Sequence, residues 1–202
     1  MRKYKAIIFD LGKVIFDLSF DRTFKYWATI SGLQLKEIKD KFEFDETFVM
    51  FEKDEITATQ FRSKISEQLK LKLTDQEFDE GWCDLYLEAY NSIGNLLIDL
   101  KKSYQLVALT NTNSIHSKVW LTKYADTLQH FEKIFSSHEM KVRKPEKEAY
   151  QAVLDYLNLP PYQTIFLDDN IENINGANSL GIKTILVSSP TQMINELLIL
   201  TN

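Results

Sequence analysis

Short apolar runs and longer amphipathic segments alternate along much of this 202-residue chain. Residues 6–9 form an apolar run that stops at Asp10, which is the pattern of a strand buried on both faces of a parallel sheet. After Gly94 similar runs recur, each followed by residues with helical spacing. The predicted strands are 106–109, 134–135, 164–167 and 184–187, and the predicted helices cover roughly 114–128, 146–157, 171–180 and 190–200.

The stretch from about residue 20 to residue 92 has helical periodicity instead. Phe20, Phe24 and Trp27 recur at intervals of three to four residues, which places their side chains on one helix face. Two capping-box pairs predict helix starts further along, Thr57 with Gln60 and Thr74 with Glu77. This long helical stretch separates the first predicted strand from all the others.

Strands that alternate with helices predict βαβ units and a parallel sheet. We therefore predict an α/β fold, a Rossmann-like doubly wound parallel sheet with an inserted α-helical cap. The predicted core comprises residues 1–16 and 93–202, and the predicted cap comprises residues 17–92.

Composition and charge reduce the number of functions that this chain is expected to have. The chain has 24 Lys and Arg against 29 Asp and Glu, a net charge of −5, and its basic residues are scattered, so nucleic acid binding is not expected. No apolar run approaches the roughly 20 residues that span a bilayer, and the first run ends at Asp10 without a leader pattern. One cysteine, Cys83, cannot form an internal disulfide. We expect a cytoplasmic protein with no membrane partner, and the sequence defines no oligomeric state, although a monomer is compatible with it.

Polar residues stand where the predicted strands end. Asp10 follows the first strand, Thr110 the second, and Asp168 with Asp169 the fourth, while Lys144 lies in the loop after the third. Ligands of open parallel sheets bind at the carboxyl ends of the strands, so these side chains are expected to meet. Carboxylate oxygens suit Mg²⁺, and the hydroxyl and the lysine suit a phosphoryl group. The sequence therefore predicts a site for Mg²⁺ and a small phosphorylated substrate.

Four segments together resemble the motifs of the haloacid dehalogenase-like hydrolase superfamily. They are FDLGKVIFD at 9–17, LTNTN at 109–113, RKP at 143–145 and FLDDN at 166–170, followed by GANSLGI at 176–182. The resemblance extends over essentially the whole chain and includes the helical insert. The residue pattern of the first two motifs, with His116 three residues after the second, is most similar to that of the bacterial α-D-glucose-1-phosphate phosphatase group.

The resemblance implies a role for each matching position. Asp10 would be the nucleophile that forms an aspartyl-phosphate intermediate, which water then hydrolyses. Thr110 would bind the phosphoryl group with Asn111 beside it, and Lys144 would offset the negative charge of the nucleophile and the transferring group. His116, just past the phosphate loop, is expected either to contact the substrate or to cap and pack at the start of its helix. The implied activity is Mg²⁺-dependent hydrolysis of a small phosphomonoester.

The resemblance also implies the metal ligands. Asp10 and Asp169 would bind Mg²⁺ through their carboxylates, and the main-chain carbonyl of Gly12 would add a third oxygen. Asp168 would bind the ion through water or act as an outer partner of Asp169.

Position 12 departs from the family pattern. Most phosphatases of the superfamily carry a second Asp there as general acid and base, whereas this chain has Gly12. General acid–base help is worth about 10²–10⁴-fold, so its loss affects poor leaving groups most. The pattern therefore favours a sugar phosphate such as a hexose 1-phosphate, whose anomeric oxygen leaves more easily. Lys13 and His116 are both candidates for the missing proton donor.

Two other functions remain as alternatives. A catalytically weak or inactive regulator that binds a phosphorylated ligand is compatible with the loss at Gly12. A metal-free haloacid dehalogenase also uses an Asp nucleophile, but Asp168 and Asp169 would then repel it without a compensating cation.

Overall fold

The computed structural model describes residues 3–201, which form one main sheet, one small sheet and the helices around them. The main sheet contains β1 Ala6–Phe9, β4 Gln105–Thr110, β5 Lys133–Ser136, β6 Thr164–Asp168 and β7 Lys183–Leu186. Its strands are all parallel, in the order β5-β4-β1-β6-β7. The predicted α/β class and parallel sheet are confirmed.

Helices precede and follow these strands. The first five are α1 Phe20–Ser31, α2 Leu35–Lys41, α3 Glu46–Glu52, α4 Ala58–Leu69 and α5 Asp75–Cys83. The others are α6 Ile93–Lys101, α7 His116–Lys123, α8 Ala125–Leu128, α9 Ser137–Met140, α10 Lys147–Leu157, α11 Ile171–Ser179 and α12 Pro190–Thr201, with a 3₁₀ turn at Pro161–Gln163. No helix among residues 3–201 is long and apolar enough to cross a membrane.

The central strand β1 shows why the sheet is covered on both faces. Its residues are fully buried, and their side chains alternate between two apolar clusters, as the two-residue period of a strand requires. Ile7 belongs to the cluster that contains Leu97 of α6 and Leu197 of α12. Ile8 belongs to the opposite cluster, with Tyr150 of α10. Helices on both faces make the sheet doubly wound, as predicted.

Helices α1 to α5 share a separate apolar cluster. Trp27 of α1 stacks on Trp82 of α5 with ring centroids 5.7 Å apart, and Phe61 of α4 packs against Trp82. Both predicted capping boxes, at the starts of α4 and α5, are present. The division into a core and a cap at residues 17 and 92 stays a prediction.

Two short antiparallel strands were not predicted from the sequence, and the second lies where helix was expected. β2 Phe16–Leu18 and β3 Tyr86–Ala89 pair at the two junctions between the inserted helices and the main sheet. The helical interpretation of residues 20–92 was therefore wrong for its last part. A four-residue strand whose partner lies far away in sequence leaves no periodic signal of its own.

The predicted helix at 114–128 is also different in detail. It consists of α7 and α8, separated at Tyr124, and α7 begins at His116. The Asn113 side-chain oxygen accepts hydrogen bonds from the backbone N–H groups of Ile115 (3.1 Å) and His116 (3.0 Å). These bonds satisfy donors that have no partner within the helix and so define where it starts.

Candidate active site

The carboxyl ends of β1, β4 and β6 bring the predicted site residues to one edge of the sheet. Phe9 is aligned with Ala108 on one side and Leu167 on the other, so Asp10, Thr110 and Asp168 end neighbouring strands. A cavity of about 250 Å³ opens at this edge. Its lining includes Asp10, Gly12, Lys13, Thr110, Asn111, Lys144 and Asp169.

Lys144 lies at the centre of this group and is 1% exposed. Its Nζ donates to Asp10 Oδ1 and to Asp168 Oδ2, both at 2.7 Å. Burial by itself lowers the pKa of Lys144, but the two carboxylates outweigh burial and raise it above its ordinary value. Lys144 is therefore a cation that links the nucleophile candidate to the neighbouring acidic strand end.

Asp10 is 8% exposed at the base of the cavity. Burial raises the pKa of its carboxyl to about 7, against the opposing effect of Lys144, and the nearby Asp168 adds to the rise. An additional positive charge at the site would favour the ionised, nucleophilic form.

Asn111 orients the loop that carries Lys144. Its side-chain nitrogen donates to the main-chain oxygen of Lys144, and its side-chain oxygen accepts from the Lys144 N–H, both at 2.9 Å. Asn111 lines the cavity, and its side-chain amide is already engaged with the backbone of Lys144, so its part in substrate binding stays a prediction.

The acidic residues fit a divalent cation. Asp10, Asp168 and Asp169 each offer one carboxylate oxygen, and these oxygens lie within 4.8 Å of one another. Asp168 is oriented by the Asn170 N–H at 2.8 Å and by the Asn173 amide at 3.0 Å. Three clustered carboxylates carry more negative charge than the single buried Lys144 can offset. Their hard oxygen atoms are ligands that suit Mg²⁺.

Gly12 borders the same cavity, and the space next to its Cα has little room for a side chain. A Cβ at this position would lie 2.6 Å from Cδ1 of Leu18, which occupies the adjoining space. The neighbourhood of the nucleophile therefore has an apolar wall where a carboxylate was expected from the family pattern.

His116 does not line the cavity, which differs from the substrate contact that was one of its two expected roles. Its ring stacks on Trp82 at 4.6 Å, its Nε2 lies 3.0 Å from the Trp82 carbonyl oxygen, and its Nδ1 lies 3.2 Å from the Asn113 amide. Burial lowers the pKa of His116 to about 4, so it is neutral at physiological pH. The structure places this residue at a contact between α5 and α7 rather than among the substrate-facing groups.

Several cavity residues were missed by sequence reasoning. They are Leu18 of β2, Glu52 at the end of α3, Arg143, and the aromatic residues Phe44 and Phe48. Arg143 is the first residue of the RKP segment at 143–145. Its position directly before Lys144 is a local indication that it lies near the site. Glu52 has no comparable signal, because it is a single acidic residue at the end of an amphipathic helix. Phe20, whose spacing predicted a position on a helix face with Phe24 and Trp27, also lines the cavity.

Comparisons with known proteins show which proteins this chain is similar to. A model of haloacid dehalogenase-like hydrolases matches residues 4–181. D-ribitol-5-phosphate phosphatase of Bacteroides thetaiotaomicron is 24% identical, with 98% of each chain covered. A HAD family enzyme from the same organism, solved with magnesium and inorganic phosphate, superposes with a TM-score of 0.79 at 32% identity, covering 92% of this chain and 95% of the other.

The fold extends to more distant structures. L-2-haloacid dehalogenase from Xanthobacter autotrophicus superposes with a TM-score of 0.68 at 17% identity, covering 96% of this chain and 82% of the other. At that identity the likeness concerns the fold alone. The narrower resemblance to glucose-1-phosphate phosphatases stays a prediction.

Proposed function

This chain belongs to the haloacid dehalogenase-like hydrolase family and is a phosphoric monoester hydrolase, and we propose that it hydrolyses a small sugar phosphate through an aspartyl-phosphate at Asp10. One observation carries the proposal. A buried lysine bridges Asp10 and Asp168 at 2.7 Å each, beside a third carboxylate, at the open edge of the sheet.

Each site residue has a specific part in the proposed reaction. A carboxylate oxygen of Asp10 attacks phosphorus, and the bond between phosphorus and the leaving-group oxygen breaks. Water then attacks phosphorus, which releases inorganic phosphate and regenerates Asp10. Lys144 holds Asp10 in place and offsets negative charge as the phosphoryl group is transferred, and Thr110 provides a hydroxyl to a phosphoryl oxygen.

Asp10 and Asp169, with the main-chain carbonyl of Gly12, would hold Mg²⁺, and Asp168 would support them. When bound, the ion would supply positive charge that offsets the negative charge of the phosphoryl oxygens. This chain's contribution is a preorganised set of acceptors, because the Asn170 N–H and the Asn173 amide already orient Asp168.

The two alternatives differ from this proposal in a measurable way. A metal-free dehalogenase has no use for three carboxylates whose oxygens lie within 4.8 Å. A regulator that binds a phosphorylated ligand without turnover would use the same groups, so only an assay separates it from the enzyme.

Release of phosphate from p-nitrophenyl phosphate tests the proposed function. We expect Mg²⁺-dependent release of p-nitrophenol and phosphate, which stops when EDTA is added in excess and returns when Mg²⁺ is restored. Binding of phosphate without turnover of any compound in a panel of sugar phosphates, nucleotides and flavin phosphates would favour the regulator.

The substrate proposal predicts a preference between two positions of one sugar. We expect a hexose 1-phosphate to be hydrolysed with a higher kcat/KM than the corresponding 6-phosphate, because the anomeric oxygen is the better leaving group beside Gly12. Comparison of kcat/KM for the two isomers, with ribitol 5-phosphate as a third substrate, checks this expectation. A clear preference for the 6-phosphate would contradict it.

A further inference from the structure

The cavity needs a proton donor that does not come from position 12. Expulsion of an alkoxide from an ordinary phosphomonoester is slow unless its oxygen receives a proton. The space beside Gly12 is taken by Leu18, whose Cδ1 would lie 2.6 Å from a Cβ there. A donor must therefore reach the leaving group from another wall of the cavity.

Most other titratable groups of the lining are poorly suited to this task. Lys144 is held between Asp10 and Asp168. Lys13 has a side chain that is 55% exposed and pairs with Asp169 at 3.6 Å. Burial raises the pKa of Tyr86 well above its ordinary value, which makes the phenol a weak acid near neutral pH.

We propose that Glu52 is a catalytic residue, which protonates the leaving-group oxygen and then accepts a proton from the attacking water. The assignment rests on the phosphomonoester hydrolysis proposed above. Glu52 is the last residue of α3, is 5% exposed, and lines the same cavity as Asp10 and Gly12. It thus reaches the cavity of the nucleophile from the inserted helices.

The carboxyl of Glu52 has a close neighbour but no well-formed hydrogen bond. Its Oε2 lies 2.9 Å from Nε of Arg143, yet the N–H does not point at this oxygen. Neither buried atom has another hydrogen-bond partner. The ion pair with Arg143 therefore orients a carboxyl that belongs to the cavity lining.

The environment of Glu52 suits both steps of proton transfer. Burial raises its pKa to about 7, against the opposing effects of Arg143 and Lys144, and Asp10 adds to the rise. Tyr86 also faces this carboxyl, and its phenol stays neutral. Both forms of Glu52 are therefore populated near neutral pH, which is the condition for an efficient general acid and base.

Ion pairs connect the last residue of α3 and the two residues after it to the loop that carries Lys144. Three consecutive residues each contact a residue of that loop. The pairs are Glu52 with Arg143 at 2.9 Å, Lys53 with Glu146 at 3.2 Å, and Asp54 with Lys141.

The proton balance closes over one turnover. As the bond between phosphorus and the leaving oxygen breaks, the protonated Glu52 carboxyl gives its proton to that oxygen, and an alcohol departs. The Glu52 carboxylate then takes a proton from water as the water oxygen bonds to phosphorus. Release of phosphate leaves Asp10 free and Glu52 protonated again.

The variant Glu52→Gln tests the assignment, because glutamine keeps the shape of the side chain and cannot exchange a proton. We expect kcat/KM for a hexose 6-phosphate to fall about 10²-fold or more. For p-nitrophenyl phosphate, whose leaving group needs no proton, the fall should stay below about fivefold. The preference for the 1-phosphate over the 6-phosphate should increase in the same variant.

Glu46→Gln is the matched control, since it makes the same chemical change at an exposed residue of α3 that lies outside the cavity lining. We expect kcat/KM for both compounds to stay near the wild-type values. Equal losses for the two compounds in Glu52→Gln, or no loss in either, would overturn the assignment while leaving the phosphatase proposal intact. Inactivity of the wild-type protein toward both compounds would instead overturn the proposed function.

The pH dependence of the wild-type protein gives a second test, which needs no variant. Because the donor must be protonated, kcat/KM for the 6-phosphate should decline as pH rises through about 7, the pKa of Glu52. The profile for p-nitrophenyl phosphate should lack this decline. Identical profiles for the two compounds would contradict the role of Glu52.

Discussion

The variant Asp10→Asn is expected to lower kcat for p-nitrophenyl phosphate by roughly 10⁴-fold or more, which is the usual scale for loss of a nucleophile. The amide cannot form the aspartyl-phosphate, although it has nearly the same size and still offers an oxygen to Lys144. Phosphate release is measured at saturating Mg²⁺ and substrate, and thermal unfolding reports whether the fold persists.

Asp99→Asn provides the matched control for this variant. Asp99 lies on α6 and has an exposed side chain that pairs with Lys102, so the same chemical change there should leave kcat near the wild-type value. If Asp10→Asn kept more than about a tenth of the wild-type kcat, a reaction through Asp10 would be excluded, because losses of nucleophiles are far larger.

The variant Lys144→Met is expected to affect stability and activity together. It removes the cation that lies 2.7 Å from both Asp10 and Asp168 and leaves two carboxylates facing each other in a buried site. Removal of one partner of a buried ion pair costs about 3–5 kcal/mol of unfolding free energy. Loss of charge stabilisation should also lower kcat by about 10²–10³-fold. Denaturant unfolding in EDTA and phosphate release in Mg²⁺ measure the two effects.

Lys141→Met is the matched control, because it also removes one positive charge from this loop but leaves the buried Lys144 in place. Lys141 is exposed and pairs with Asp54, and exposed ion pairs contribute only about 0–1 kcal/mol. A loss of stability in Lys144→Met that is no larger than in Lys141→Met would contradict the structural role assigned to Lys144. Unchanged kcat in Lys144→Met would contradict its role in the reaction.

Much of the fold follows from local patterns. The apolar run that ends at Asp10, and the later runs that alternate with helices, were sufficient to predict a parallel doubly wound sheet. The strands of the small sheet escaped prediction, because Phe16–Leu18 and Tyr86–Ala89 are short and acquire their conformation from each other. Hydrophobic periodicity reports on a single element and contains no information about a distant pairing partner.

The sequence predicted which residues gather at the site but not how all of their side chains are oriented. Asp10, Thr110 and Asp168 could be grouped in advance, because the carboxyl ends of parallel strands share one edge. The direction of the His116 side chain could not, since it depends on Trp82, a residue of another helix. The engagement of Asn111 with the backbone of Lys144 likewise depends on where two separate loops meet.

The sequence by itself determined the sheet, the order of its motifs and the carboxylates at the strand ends, because each of these properties is encoded in neighbouring residues. Only the tertiary structure decided what stands around them. It placed Leu18 beside Gly12, turned His116 away from the cavity, and brought Glu52 to within 2.9 Å of Arg143. Packing between segments far apart in the chain sets such side-chain positions, and no local pattern records them.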